Sequence, residues 1–184
     1  MMPIYSLWPA VGFKSIYFDD DAHLEAMRQL NVRRLASGWR NIPAKALSLD
    51  AGRKSDFPSV AVLNTGGLAV EESFRRAVFE GISAELEFLP ITVEARPWFI
   101  VNCLSSVAGI DEPNSKLMRS IDGEIYMAVK LTINANAELI APLFTLTGSN
   151  RAQIFCTQDF KNRVLKSGAR GLRFDQIGEI AIGT

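Results

Sequence analysis

Four consecutive apolar residues, Trp98-Phe99-Ile100-Val101, constrain this fold more than any other stretch of the chain. Side chains alternate between the two faces of a strand, so a run that is apolar at every position needs cover on both sides. That is the condition of a central strand. The stretch around it, residues 87–123, leads through a polar segment holding Asn102, Asp111, Asn114 and Ser115 to the dipeptide Asp122-Gly123, a hairpin-turn signal between arms at 116–121 and 124–133. In the second arm Ile125, Met127, Val129, Leu131 and Ile133 alternate, which predicts one apolar face turned inward.

Two helices stand out by period. Val70, Phe74, Ala77, Val78 and Ile82 fall on one face of a helix, with Glu71/Arg75 and Glu72/Arg76 at i,i+4 on the other side and Gly81 as a stop. Near the C-terminus a short strand at 154–156 runs into Thr157 as N-cap, Asp159 in the first turn, Phe160 and Val164 as the buried stripe, Lys166 in the last turn and Gly168 beyond it. Val60–Leu63 reads as a strand, and Asn64-Thr65-Gly66-Gly67 connects it to the first helix. Glu85–Val93 is a strand interrupted by Pro90, and Gly171, Leu172 and Phe174 open a closing strand. Ile4–Trp8 reads as an edge strand ended by Pro9, and Asp21 as the cap of a short helix bearing Leu24, Met27 and Leu30.

This order predicts an α+β fold, a mostly antiparallel sheet packed with two main helices at about 68–81 and 157–167. All of 1–184 reads as one domain, with 1–55 as its less defined N-terminal segment.

Composition narrows the function. Twenty basic and twenty acidic residues leave no net charge and so no global field for a phosphate backbone. Arg151, Lys161, Arg163, Lys166, Arg170 and Arg173 make the C-terminal part locally basic, which reads as a solvated helix face and predicts no direct nucleic-acid binding. Cys103 and Cys156 lie in apolar surroundings without CxxC spacing, as buried thiols of a reducing compartment do. No segment approaches a membrane span, and the N-terminus lacks a basic region ahead of an apolar run. These features predict a cytoplasmic protein with no membrane partner.

The search for chemistry ends without a constellation. His23 is the single histidine, and no Gly-x-Ser-x-Gly accompanies it. Asp19, Asp20 and Asp21 are adjacent and lack the alternate spacing of a calcium loop, so they read as a solvated turn with a helix cap. The Asn64–Gly67 loop lacks the lysine and glycine spacing of a P-loop. Asp111 and Ser115 read as turn residues bonding nearby amides. The expectation is no catalytic residue, no metal and no cofactor.

Several short motifs carry a likeness: Asp56-Phe57-Pro58, Glu87-Phe88-Leu89-Pro90, Trp98-Phe99-Ile100-Val101-Asn102, Ile110-Asp111 with Ser115, Asp122-Gly123, Ile154-Phe155-Cys156-Thr157 with Phe160 and Val164, and Gly168-Ala169-Arg170-Gly171-Leu172-Arg173-Phe174. In this set the chain resembles the immunity-eleven family, bacterial proteins encoded beside polymorphic toxins and held to neutralise them. The likeness extends from about Asp56 to Ile177. It departs where the family tends to read Asp-x-Leu-Asp, since Ala108 stands at the first acidic position here.

The resemblance implies a binding protein, not an enzyme, whose partner is a cognate toxin encoded nearby and which occludes that toxin's active site. Its rivals are an interaction module with another partner and a small hydrolase or transferase using Asp111 or His23. For a basic toxin, charge clustering makes Asp19, Asp20, Asp21, Glu71 and Glu72 the expected binding residues.

Overall fold

A computed structural model describes residues 1–18, 21–49, 54–134 and 140–181, with 21–23 at backbone level. In chain order its elements are β1 (Met2–Pro9), β2 (Ser15–Tyr17), α1 (Asp21–Met27), β3 (Ile42–Leu47), β4 (Val60–Leu63), β5 (Gly67–Glu71), α2 (Glu72–Phe79), β6 (Leu86–Val93), β7 (Arg96–Cys103), β8 (Ser106–Val107), β9 (Lys116–Arg119), β10 (Ile125–Asn134), β11 (Leu143–Leu146), β12 (Phe155–Thr157), α3 (Gln158–Lys166) and β13 (Leu172–Ala181).

The α+β expectation is overturned: the fold is mostly β, and the described residues form 13 strands in two sheets and α-helices of only 7, 8 and 9 residues. The seven-stranded sheet runs β8-β11-β12-β1-β13-β10-β9 and the six-stranded sheet β2-β3-β6-β7-β5-β4. The reason lies at the expected helix 68–81. Its first four residues pair instead as strand β5, Leu68 with Val101 and Val70 with Phe99, and α2 stops at Phe79. Leu68, Ala69 and Val70 are all fully buried, and β-branched or apolar residues covered on both sides favour a strand over a helix with one wet face. The Asn64–Gly67 segment is therefore a hairpin turn between β4 and β5.

β7 holds the centre of the smaller sheet, between β6 and β5. Its Val101 packs into one core and its Trp98 and Ile100 into another, so both faces are covered. The first core lies between the sheets, where Tyr5, Leu7 and Cys156 meet Val60, Leu68, Val70 and Val101 under Phe74 and Val78 of α2 and Phe160 and Val164 of α3. A second covers the far face of the smaller sheet with Met27 and Leu30. The third is enclosed by the larger sheet around Leu131, Ile133, Phe144 and Phe155.

Two strand readings change. β1 is central, between β12 and β13, because Ile4, Tyr5, Ser6 and Leu7 are buried in succession. The alternation in β10 breaks: irregularities at 125–127 and 128–130 turn Ala128 inward (2% exposed) and leave Val129 out (44%). Thr157 stands at the N-cap of α3 without a side-chain cap bond, and Gly168 takes the left-handed conformation after Ser167 (φ 69°). Gly178 lets β13 lie beside β10, since a Cβ there would come 1.6 Å from the Leu131 carbonyl oxygen.

Candidate functional site

Of the five acidic positions expected to bind a partner, the structure describes the side chains of Glu71 and Glu72. Asp19 and Asp20 lie outside the described residues. Asp21 opens α1. Glu71 and Glu72 meet at the junction of β5 and α2, where the Glu71 carboxylate accepts a 2.8 Å bond from the Ser73 hydroxyl. Glu72 is gripped harder: Arg75 donates through Nε at 2.7 Å and Nη2 at 2.9 Å, and Arg76 through Nε at 2.7 Å. The Arg75 bonds first, and those from Arg76, hold the Glu72 carboxyl at about 2, well below the usual carboxylate range. Arg75 in turn lies over Phe88 and Phe99, at 5.4 and 4.8 Å from the ring centroids.

The other polar candidates build turns. The Asp111 carboxylate accepts from Asn114 N at 3.3 Å, Asn114 Nδ2 at 2.9 Å and Asn134 Nδ2 at 3.2 Å, and these bonds, led by the Asn114 amide, lower its pKa. Ser115 accepts from Thr132 N at 3.0 Å and donates to the Thr132 carbonyl at 3.3 Å, locking the 3-10 turn Glu112–Asn114 against β10. The His23 side chain lies outside the described ones. Among the described residues no group of three or more His, Cys, Asp or Glu is placed to hold a metal. Both cysteines are free and fully buried, and burial pushes the Cys103 thiol up to about 12 and raises Cys156 as well.

The local basic run is largely engaged in structure. Arg163 reaches Asp159 at 3.4 Å and the Glu80 carbonyl at 3.0 Å, Arg173 pairs with Asp175 at 2.9 Å, and Lys161 lies 4.0 Å from the centre of the Tyr5 ring. Arg151 donates to the Asn31 carbonyl at 2.7 Å.

That last bond belongs to a buried knot that the sequence reading missed. Asn31 is fully buried with a left-handed backbone (φ 63°). Its Oδ1 accepts from Cys103 N at 2.8 Å, and its Nδ2 donates to the carbonyls of Gly66 and of Arg151, the latter at 2.9 Å. Asn102, also fully buried, accepts from Asn31 N at 2.5 Å and donates to Arg33 O at 2.9 Å and Glu87 Oε2 at 2.8 Å. Glu87 also accepts from Leu35 N at 2.8 Å. Burial alone would raise the Glu87 pKa, yet the Leu35 amide and the Asn102 side chain bring it below its ordinary value. The partners are 71 and 72 residues apart in sequence, so no local pattern announces them.

Beside the knot a cleft of about 350 Å³ opens between the sheets, lined chiefly by Trp8, Pro9, Val62, Tyr126, Met127 and Gln153. Gln153 fixes its wall by donating to Ser6 Oγ at 3.0 Å and accepting from Ala128 N at 2.8 Å. Tyr126 and Met127 carry the cleft onto the β9–β10 hairpin, where Met118, Ile121, Tyr126 and Val129 are exposed.

The sequence pattern of the immunity protein family Imm11 matches residues 14–179. The chain belongs to this family. No curated protein matches the chain. Membership points to toxin immunity as the role, and the match takes in the knot and the hairpin and leaves β1 outside. No helix among the described residues is long and apolar enough to cross a membrane.

Proposed function

We propose that this protein confers immunity by binding a cognate toxin in the cytoplasm and covering its active site, acting by occupancy and not by catalysis. Membership of the Imm11 family over residues 14–179 carries this reading. Asp111, which the enzyme rival would use, supports it, because its carboxylate is held by Asn114 and Asn134 in bonds that build a turn of the scaffold. An inhibitor of this kind needs a rigid frame and a complementary surface, since charge complementarity sets its association rate and specificity.

Asp19, Asp20, Asp21, Glu71 and Glu72 are the acidic contacts proposed for a basic toxin surface. Within the pair at the α2 start, Glu71 is the more available, because two arginines already neutralise Glu72. Expression of the toxin encoded beside this gene, with and without the protein, tests the function. Rescue of growth together with a one-to-one complex is the expected outcome, and death in both cultures would contradict it. Glu71→Lys is expected to weaken that complex; unchanged affinity would remove the acidic contact from the account.

A further inference from the structure

Resting on the immunity reading, we infer that the open edge of β9 is where an extended, acidic strand of the toxin adds to the seven-stranded sheet. β9 ends that sheet, with β10 on one side and no strand on the other among the described residues. An open edge presents unpaired backbone donors and acceptors and accepts a further strand.

The side chains define what that strand must carry. Leu117 packs against the core enclosed by the larger sheet, so its neighbours Lys116 and Met118 face outward. Lys116 stands directly opposite Lys130 on β10, and neither has an ion pair or side-chain hydrogen bond among the described residues. Like charges directly opposed across a strand pair are destabilising, so the free protein holds a repulsion that carboxylates from a partner would relieve.

Edge lysines alone are a common guard against aggregation, and that reading accounts for Lys116. It does not account for the second lysine on the inner strand, nor for the apolar surface. Of the ten exposed large hydrophobic side chains among the described residues, four lie on this hairpin: Met118, Ile121, Tyr126 and Val129. A guarded edge would keep such side chains away.

The chemistry also selects between occupants. A second copy would bring its own β9, Lys-Leu-Met-Arg, which has no carboxylate. Arg119 is already held by Glu112, so the positive charge left for a partner is that of the two lysines. The occupant is therefore a toxin segment with carboxylates beside Lys116 and Lys130 and an apolar side chain over Met118, next to the cleft wall at Tyr126 and Met127.

The test uses the full chain and a catalytically inactive form of the toxin encoded beside its gene. Lys116→Glu combined with Lys130→Glu, and separately Met118→Asp, should each raise Kd tenfold or more while urea unfolding shows the variants folded. In the unaltered protein, amide exchange at 116–119 should slow on binding the toxin. A toxin that binds both variants with unaltered Kd overturns the β9 site and leaves the immunity reading standing, whereas a toxin that the unaltered protein neither binds nor neutralises overturns that reading itself. Sedimentation showing a dimer of the unaltered protein that the double reversal dissociates would assign the edge to a second copy and overturn the toxin strand.

Discussion

The knot around Asn31 and the β9–β10 hairpin handle polar groups in opposite ways. In the knot the side-chain amides of Asn31 and Asn102 and the Glu87 carboxylate find partners inside the molecule, and the knot ties β6, β7, the β4–β5 turn and the loop before β12 together. In the hairpin two lysines oppose each other and four apolar side chains stay in water. A buried polar group without a partner costs about 1–3 kcal/mol, and among the described residues the Thr65 hydroxyl is the one buried side-chain group left so, whereas a surface can hold unmatched groups cheaply. The difference separates residues that make the scaffold from residues that a partner can complete. Asn102, the polar residue at the end of the apolar run on the central strand, belongs to the scaffold by its bonds to Arg33 and Glu87.

The largest expected effect lies in the knot. Asn31→Ala removes the side-chain bonds to Cys103, Gly66 and Arg151 and places alanine in a left-handed conformation, and urea unfolding should show a loss of about 3 kcal/mol or more. A loss under half of that would show the knot to be incidental. Gly66→Ala follows, because its Cβ would stand 2.3 Å from Ala152 Cα and its φ is 89°. About 2 kcal/mol is expected in the same measurement.

Glu87→Gln should cost about 1–2 kcal/mol at neutral pH, as bonds to a charged group are replaced by bonds to a neutral one. The folded state lowers the Glu87 pKa, so its contribution is complete above the ordinary value of 4.5 and is lost as pH falls through the lowered folded value. Between those limits the unaltered protein should lose stability more steeply with falling pH than the Gln variant does. Parallel curves would remove Glu87 from the knot's energetics. The smallest effect is in the hairpin: Lys116→Glu turns a like-charge pair into an opposite one and should stabilise the free protein by a few tenths of a kcal/mol, about 0.5 at most.

Legibility in the sequence followed the range of the interactions. Trp98–Val101 announced a central strand because its pattern is local and complete, and Asp122-Gly123 fixed the β9–β10 hairpin for the same reason. The balance of helix and strand was misread because helical periodicity is conspicuous over a few turns, while short strands such as β2, β8 and β11 are defined only by distant partners. Leu68–Val70 satisfy a helical stripe and a buried strand equally well, and only their pairing with β7 decides. The knot was hidden because Asn31 lies in an undistinguished stretch, its role set by residues from three other parts of the chain. In the hairpin the apolar residues were visible, but the irregularities that expose Val129 and oppose the two lysines were not.

The contrast between a satisfied knot and an unsatisfied edge is tested most directly by Lys116→Glu, measured for toxin affinity and for urea stability in the same preparation. Affinity is expected to fall about tenfold with stability equal or slightly higher, because the lysine serves the partner and burdens the free fold. Affinity unchanged, or affinity and stability falling together, would contradict it.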